Sequence, residues 1–188
     1  MKKVILISLF FILAFLPLLN ISQAQNSQNK DNIFQTKEDY YEHQIQVEKG
    51  LKDWFTYNPL EEDNTTIQLQ NILQAYLLAW IMGAPHVNLA IDGKIEGELL
   101  SDKRFDYTQN LMLAMMFAKT TYLIENKNAK STDFETNLAG VKGMLVIYKK
   151  IREQTKDKRK YRTDSMEKYL EWEKEGNLEK EVKRIVND

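Results

Sequence analysis

The chain has 188 residues, with 26 Lys or Arg against 27 Asp or Glu, two His and no Cys. The absence of cysteine excludes disulfides, thiol nucleophiles, Cys–zinc sites and dithiol redox pairs. The near-neutral balance gives no strong field for drawing in nucleic acid, and the length suits one domain around one core.

The N-terminus reads as an export signal. Lys2 and Lys3 precede an apolar run, Val4 to Leu19, broken only by Ser8 and Pro17, and Ser22-Gln23-Ala24 follows. This is the three-part layout of a secretory signal peptide, residues 1–24, with cleavage expected between Ala24 and Gln25. The run of about 16 residues is shorter than the ~20 of a membrane span, so no membrane span is expected after cleavage. No cysteine follows the cut to carry a lipid. Removing residues 1–24 takes away Lys2 and Lys3, leaving 164 residues with 24 basic and 27 acidic side chains, a net of −3. The expected location is exported, either periplasmic or secreted, and without disulfides the fold must rest on its core. Abundant Lys, Asn, Ile and Gln point to a bacterium with an AT-rich genome.

Residues 25–35, "QNSQNKDNIFQ", are polar and aperiodic and read as a flexible leader. Residues 36–188 read as a single helical domain, since apolar residues recur at three- and four-residue steps and Gly and Pro are scarce. The first helix is expected from Lys37 to about Phe55, capped by Thr36 with Asp39 in a box-like position. Pro59 lies in the following loop. A second helix runs from Thr65 or Thr66 to about Met82. Leu69, Ile72, Leu73, Tyr76, Leu77 and Trp80 share one face, which Leu78 and Ile81 widen, so this helix is expected to be central. Gly83 and Pro85 stop it. A third helix is expected from Ser101 or Asp102 to Asn126. Its middle, "LMLAMMFA" at 111–118, is apolar nearly all round. A fourth, about 133–153, has Thr132 and Glu135 as a capping box and a stripe of Phe134, Leu138, Val141, Leu145 and Tyr148. Two shorter helices, about 164–175 and 178–186, are separated by Gly176-Asn177.

The fold class is therefore all-α: five or six helices in antiparallel hairpins, as a bundle or a short helical-repeat-like stack. One small β-hairpin near 87–96 is compatible with Asp92-Gly93 as its turn. No 34-residue period or tetratricopeptide pattern is present, and no family resemblance is drawn.

"NLAIDGKIEGEL", 88–99, has the outline of a calcium-binding EF-hand loop. Asn88, Asp92, Gly93, Ile95 and Glu96 fit positions 1, 5, 6, 8 and 9. Position 3 is Ala90 and position 12 is Leu99, so the bidentate carboxylate is missing. A turn or ordered connection is the preferred reading, and no metal site is assigned. Asp39 and His43 lie four apart, but two ligands do not make a site. There is no Gly-x-Ser-x-Gly elbow and no glycine-rich phosphate cradle, and no cofactor is expected. Asp92, Glu96, Glu98 and Asp102 form the densest acidic loop, which leaves an envelope hydrolase as an alternative. Lys149 to Arg162 holds eight Lys or Arg and reads as a solvated basic linker.

Aromatic residues concentrate in the first two helices. Tyr41, Trp54, Phe55 and Tyr57, with His86 after Pro85, are the candidate groove for a protein partner. The functional expectation is an exported, non-enzymatic protein-binding module, an adaptor or an immunity-type inhibitor. A hydrolase is the alternative, and a calcium-modulated protein ranks below both.

Overall fold

Capping chemistry sets the first helix boundaries. The Thr36 hydroxyl accepts from the Asp39 N–H (3.3 Å), and the Asp39 carboxylate accepts from the Thr36 and Gln35 N–H groups (2.7 Å each). This is the box expected from the sequence. Those two backbone donors hold the Asp39 carboxyl below the usual carboxylate range. The computed structural model describes residues 33–91, 93–102, 105–154 and 161–187, with only the backbone of Glu96, Glu98, Ser101 and Gln154. The signal peptide read at 1–24, and the leader as far as residue 32, lie outside the described residues.

All regular structure among the described residues is helical: α1 (Lys37–Glu42), α2 (Gln44–Trp54), α3 (Asn64–Gly83), α4 (Gly93–Ser101), α5 (Thr108–Glu125), α6 (Phe134–Gln154), α7 (Asp164–Lys174) and α8 (Leu178–Asn187). The all-α class holds, with more helices than the five or six expected. The first expected helix divides at His43, whose backbone N–H bonds back to Asp39 and Tyr41 carbonyls. The β-hairpin near 87–96 is replaced, from Gly93 onward, by α4. Ile95 and Leu99 are both buried, and their four-residue spacing is helical rather than alternating. Helix α5 accordingly starts at Thr108, later than expected. The box of Thr132 with Glu135 is also absent. Asp133 instead closes the turn before α6 by accepting from the Lys130 N–H at 2.8 Å.

Phe34–Asp188 packs as one unit. Its centre is the α5–α6 pair, which make the most extensive helix–helix contact. They approach closely because two glycines face α5. An added Cβ at Gly140 would sit 2.8 Å from Met115 Cγ, and one at Gly143 2.8 Å from the Ala114 carbonyl oxygen. Helices α7 and α8 pack on α6, α4 lies against α5, α7 and α8, and α2 joins α3 to α5. Helix α7 is fixed through Glu167, which accepts from the Tyr148 hydroxyl (2.6 Å) and pairs with Arg152 (2.9 Å) and Arg162 (3.2 Å). Gly176, at φ 72°, lets the Asn177 N–H reach the Trp172 carbonyl at 2.7 Å and end α7.

Helix α3 is not the central helix that its apolar pattern predicts. Leu77, Trp80 and Ile81 are buried, but Leu69 is 56%, Ile72 67% and Met82 70% exposed. Its principal packing is with α2, where Leu73 and Leu77 close over Gly50. The apolar arc is wider than one neighbour can cover.

Candidate functional site

The aromatic residues expected to form one groove fall into two groups at opposite ends of α2. At the α1 end, Phe34 stacks on Tyr40 (5.1 Å between ring centres) and meets His43 and Tyr76 (5.3 and 5.5 Å). Phe34 lies inside the stretch read as a flexible leader, yet it is 3% exposed. His43 Nδ1 lies 3.0 Å from the Tyr76 hydroxyl, and burial raises the Tyr76 pKa. The Trp80 indole N–H donates to the Tyr40 carbonyl at 2.8 Å. On the outside of this cluster Tyr41 lies flat on His86, with centroids 4.5 Å apart and rings 14° from parallel, and Trp80 meets the same imidazole edge-on at 5.4 Å. Partial burial lowers the His86 pKa.

At the other end, roughly 20 Å away at 1.5 Å per helical residue, Trp54 is a core residue. It is 2% exposed and stands edge-on to Phe117 at 4.9 Å. Phe55 and Tyr57 are half-buried, and their carbonyls accept from the Lys150 ammonium at 2.5 and 3.1 Å. Of the five candidate groove residues, then, Tyr41 and His86 form one exposed stack, Trp54 belongs to the core, and Phe55 and Tyr57 belong to a turn held by α6.

The stretch that resembles half a calcium loop is tied down by a lysine. The Ala90 carbonyl accepts from the Lys119 ammonium (2.8 Å) and the Ser131 hydroxyl (3.0 Å), and the Ala90 N–H donates to Ser131 Oγ (2.7 Å). Lys119 is 1% exposed and also donates to Asn137 Oδ1 at 3.0 Å. From Gly93 the aligned calcium positions are helical. Asp92 lies outside the described residues, as do the side chains of Glu96 and Glu98, and Asp102 is half-buried at the end of α4. Among the described residues, no group of three or more His, Asp or Glu is placed to hold a metal ion. The basic stretch carries ion pairs: Lys149 pairs with Glu173 at 2.5 Å, and the half-buried Arg152 and the exposed Arg162 serve Glu167. Residues 155–160 lie outside the described residues.

Two surface features escaped the sequence reading. The first is the outer side of α3, where Leu69, Ile72 and Met82 stand exposed on a twenty-residue helix without an Asp, Glu, Lys or Arg. The missing charge was visible in the sequence, but its meaning depended on whether the helix was inside or outside. The second is a cleft of about 240 Å³ between the N-terminal halves of α3 and α5, bounded by the 58–61 loop. Gln70, Asn71, Gln74, Gln109 and Asn110 line it, with Ile67 as apolar surface and the buried Leu113 beneath. The spacing of Gln70, Asn71 and Gln74 was the available signal, and it looks like an ordinary solvated face until α5 is set opposite.

No protein family, curated protein or solved structure matches the chain. Among the described residues, no helix is long and apolar enough to cross a membrane.

Proposed function

We propose that the chain is a non-enzymatic protein-binding module of the bacterial envelope, an adaptor or immunity-type inhibitor, and that the outer side of α3 is its docking face. Export rests on the pattern of Lys2-Lys3, Val4–Leu19 and Ala24. One observation carries the docking reading: a helix of twenty uncharged residues lies on the outside of a chain that is 28% charged, with three large apolar side chains more than half exposed. A surface helix ordinarily carries charge on its solvent side. Leu69 and Ile72 lie one turn apart, and exposed apolar surface of this kind marks interaction sites. The face has no charge to complement, so its partner offers an apolar surface. In this reading α2 and α3 form an antiparallel hairpin that serves as the docking arm, and α5–α6 is its support.

The test compares two lysine substitutions in affinity capture from envelope extract. Ile72→Lys should abolish recovery of a stoichiometric partner at unchanged melting temperature. Val146→Lys, on an exposed part of α6, should leave recovery intact. Equal recovery by both variants would remove α3 as the docking face.

A further inference from the structure

The cleft between α3 and α5 is a second, chemically different surface. Six of the ten residues lining it are Asn or Gln. Asn58 is engaged, since its Oδ1 accepts from the Leu60 N–H at 2.8 Å. The side chains of Gln70, Asn71, Gln74, Gln109 and Asn110 make no hydrogen bond among the described residues. Each carboxamide offers two donors and two acceptor lone pairs. The cleft therefore presents donors and acceptors together, from two helices that do not otherwise pack closely.

The remaining lining narrows the ligand. Pro59 and Ile67 give the polar ring a small apolar surface, with the buried Leu113 beneath it. Glu61 is the one charged residue among the described lining residues, and Glu62 and Asp63 follow it in the chain. Glu61 Oε1 accepts from the Glu62 and Asp63 N–H groups at 2.9 and 3.0 Å, which fixes the carboxylate beside the cleft. An anionic ligand would meet that charge with no cation among the described lining residues to offset it. A purely apolar ligand would strip water from five carboxamides without replacing their hydrogen bonds. At about 240 Å³ the cleft has room for a small ligand.

We infer that this cleft binds one neutral sugar residue, its hydroxyls paired with the carboxamides of α3 and α5 and its C–H face on Pro59 and Ile67, above the buried Leu113. The site is separate from the apolar outer side of α3 and stands without the docking reading. The full purified chain is titrated by NMR with N-acetylglucosamine, methyl glucoside, glucuronate and N-acetyl-trialanine amide. A neutral sugar should give saturable shifts at residues 58–74 and 108–113, with a Kd of about 1–10 mM. Glucuronate should bind several-fold more weakly and recover in Glu61→Gln, which keeps an oxygen to accept the two backbone N–H groups. Gln74→Leu and Gln109→Leu should each weaken the sugar about 3–10-fold at unchanged melting temperature. The inference is overturned if neither neutral sugar saturates, if binding is indifferent to both leucine variants, or if the peptide amide binds the cleft more tightly than the sugars.

Discussion

Tyr41 and His86 show how one side chain sets the chemistry of another. The imidazole lies between the flat face of Tyr41 and the edge of Trp80, and partial burial there disfavours its charged form. The folded pKa is depressed, so the contribution to stability is fully present above the unfolded value of about 6.5. It is lost as the pH falls below that value through the folded pKa. An NMR titration of the His86 ring, assigned with His86→Asn, should have its midpoint below 6.5, and Tyr41→Ala should move it up. A wild-type midpoint at or above 6.5 would show that the stack does not desolvate the ring. The Thr36–Asp39 box was legible residue by residue, because a cap depends on its own four positions. Lys119 was not. One lysine at the end of an apolar run looks like the edge of a buried face, and its partners Ala90 and Asn137 lie 29 and 18 residues away.

Among the elements, α5 and α6 followed their patterns best. The all-round apolar middle of α5 lies in the core, where Met112, Leu113 and Phe117 are buried, although the helix expected to be central was α3. The closeness of the pair depends on Gly140 and Gly143, whose role is invisible until the facing residues are known. Gly143→Ala should destabilise the fold by about 1–3 kcal/mol. Its new Cβ meets the backbone oxygen of Ala114, which cannot rotate aside as a side chain would. The gain in helix propensity, up to about 1 kcal/mol, is the smaller term. Chemical denaturation checks this, and an unchanged or raised midpoint would mean that α5 and α6 separate easily. Helix α4 was misread because Asp-Gly favours a turn, whereas the four-residue spacing of Ile95 and Leu99 gave the right period.

At the scale of the molecule, the misplaced expectation was α3. Its sequence is apolar enough for a core, but only α2 covers it well. Periodicity reports which face is apolar and says nothing of how many neighbours arrive to bury it. The same gap explains the candidate groove: proximity in sequence drew Tyr41 and Trp54 together, and the length of α2 keeps them apart. The α2–α3 end is held to α6 by Lys150, read from the sequence as part of a solvated linker. Its ammonium binds the Phe55 and Tyr57 carbonyls, and desolvation there lowers its pKa. Lys150→Ala should lower stability by about 1–3 kcal/mol, the range for hydrogen bonds to a charged group. A loss under ~0.3 kcal/mol in urea denaturation would show that the turn docks without it.

The paired hydrogen bonds between Ala90 and Ser131 close a span of 41 residues. Ser131 is 5% exposed and sits in the turn between α5 and α6, so the closure ties the segment after α3 to the central helix pair. The Ala90 amide, donated to a buried hydroxyl from an irregular segment, should therefore exchange its hydrogen as slowly as the helix pair it is tied to, which amide hydrogen exchange checks.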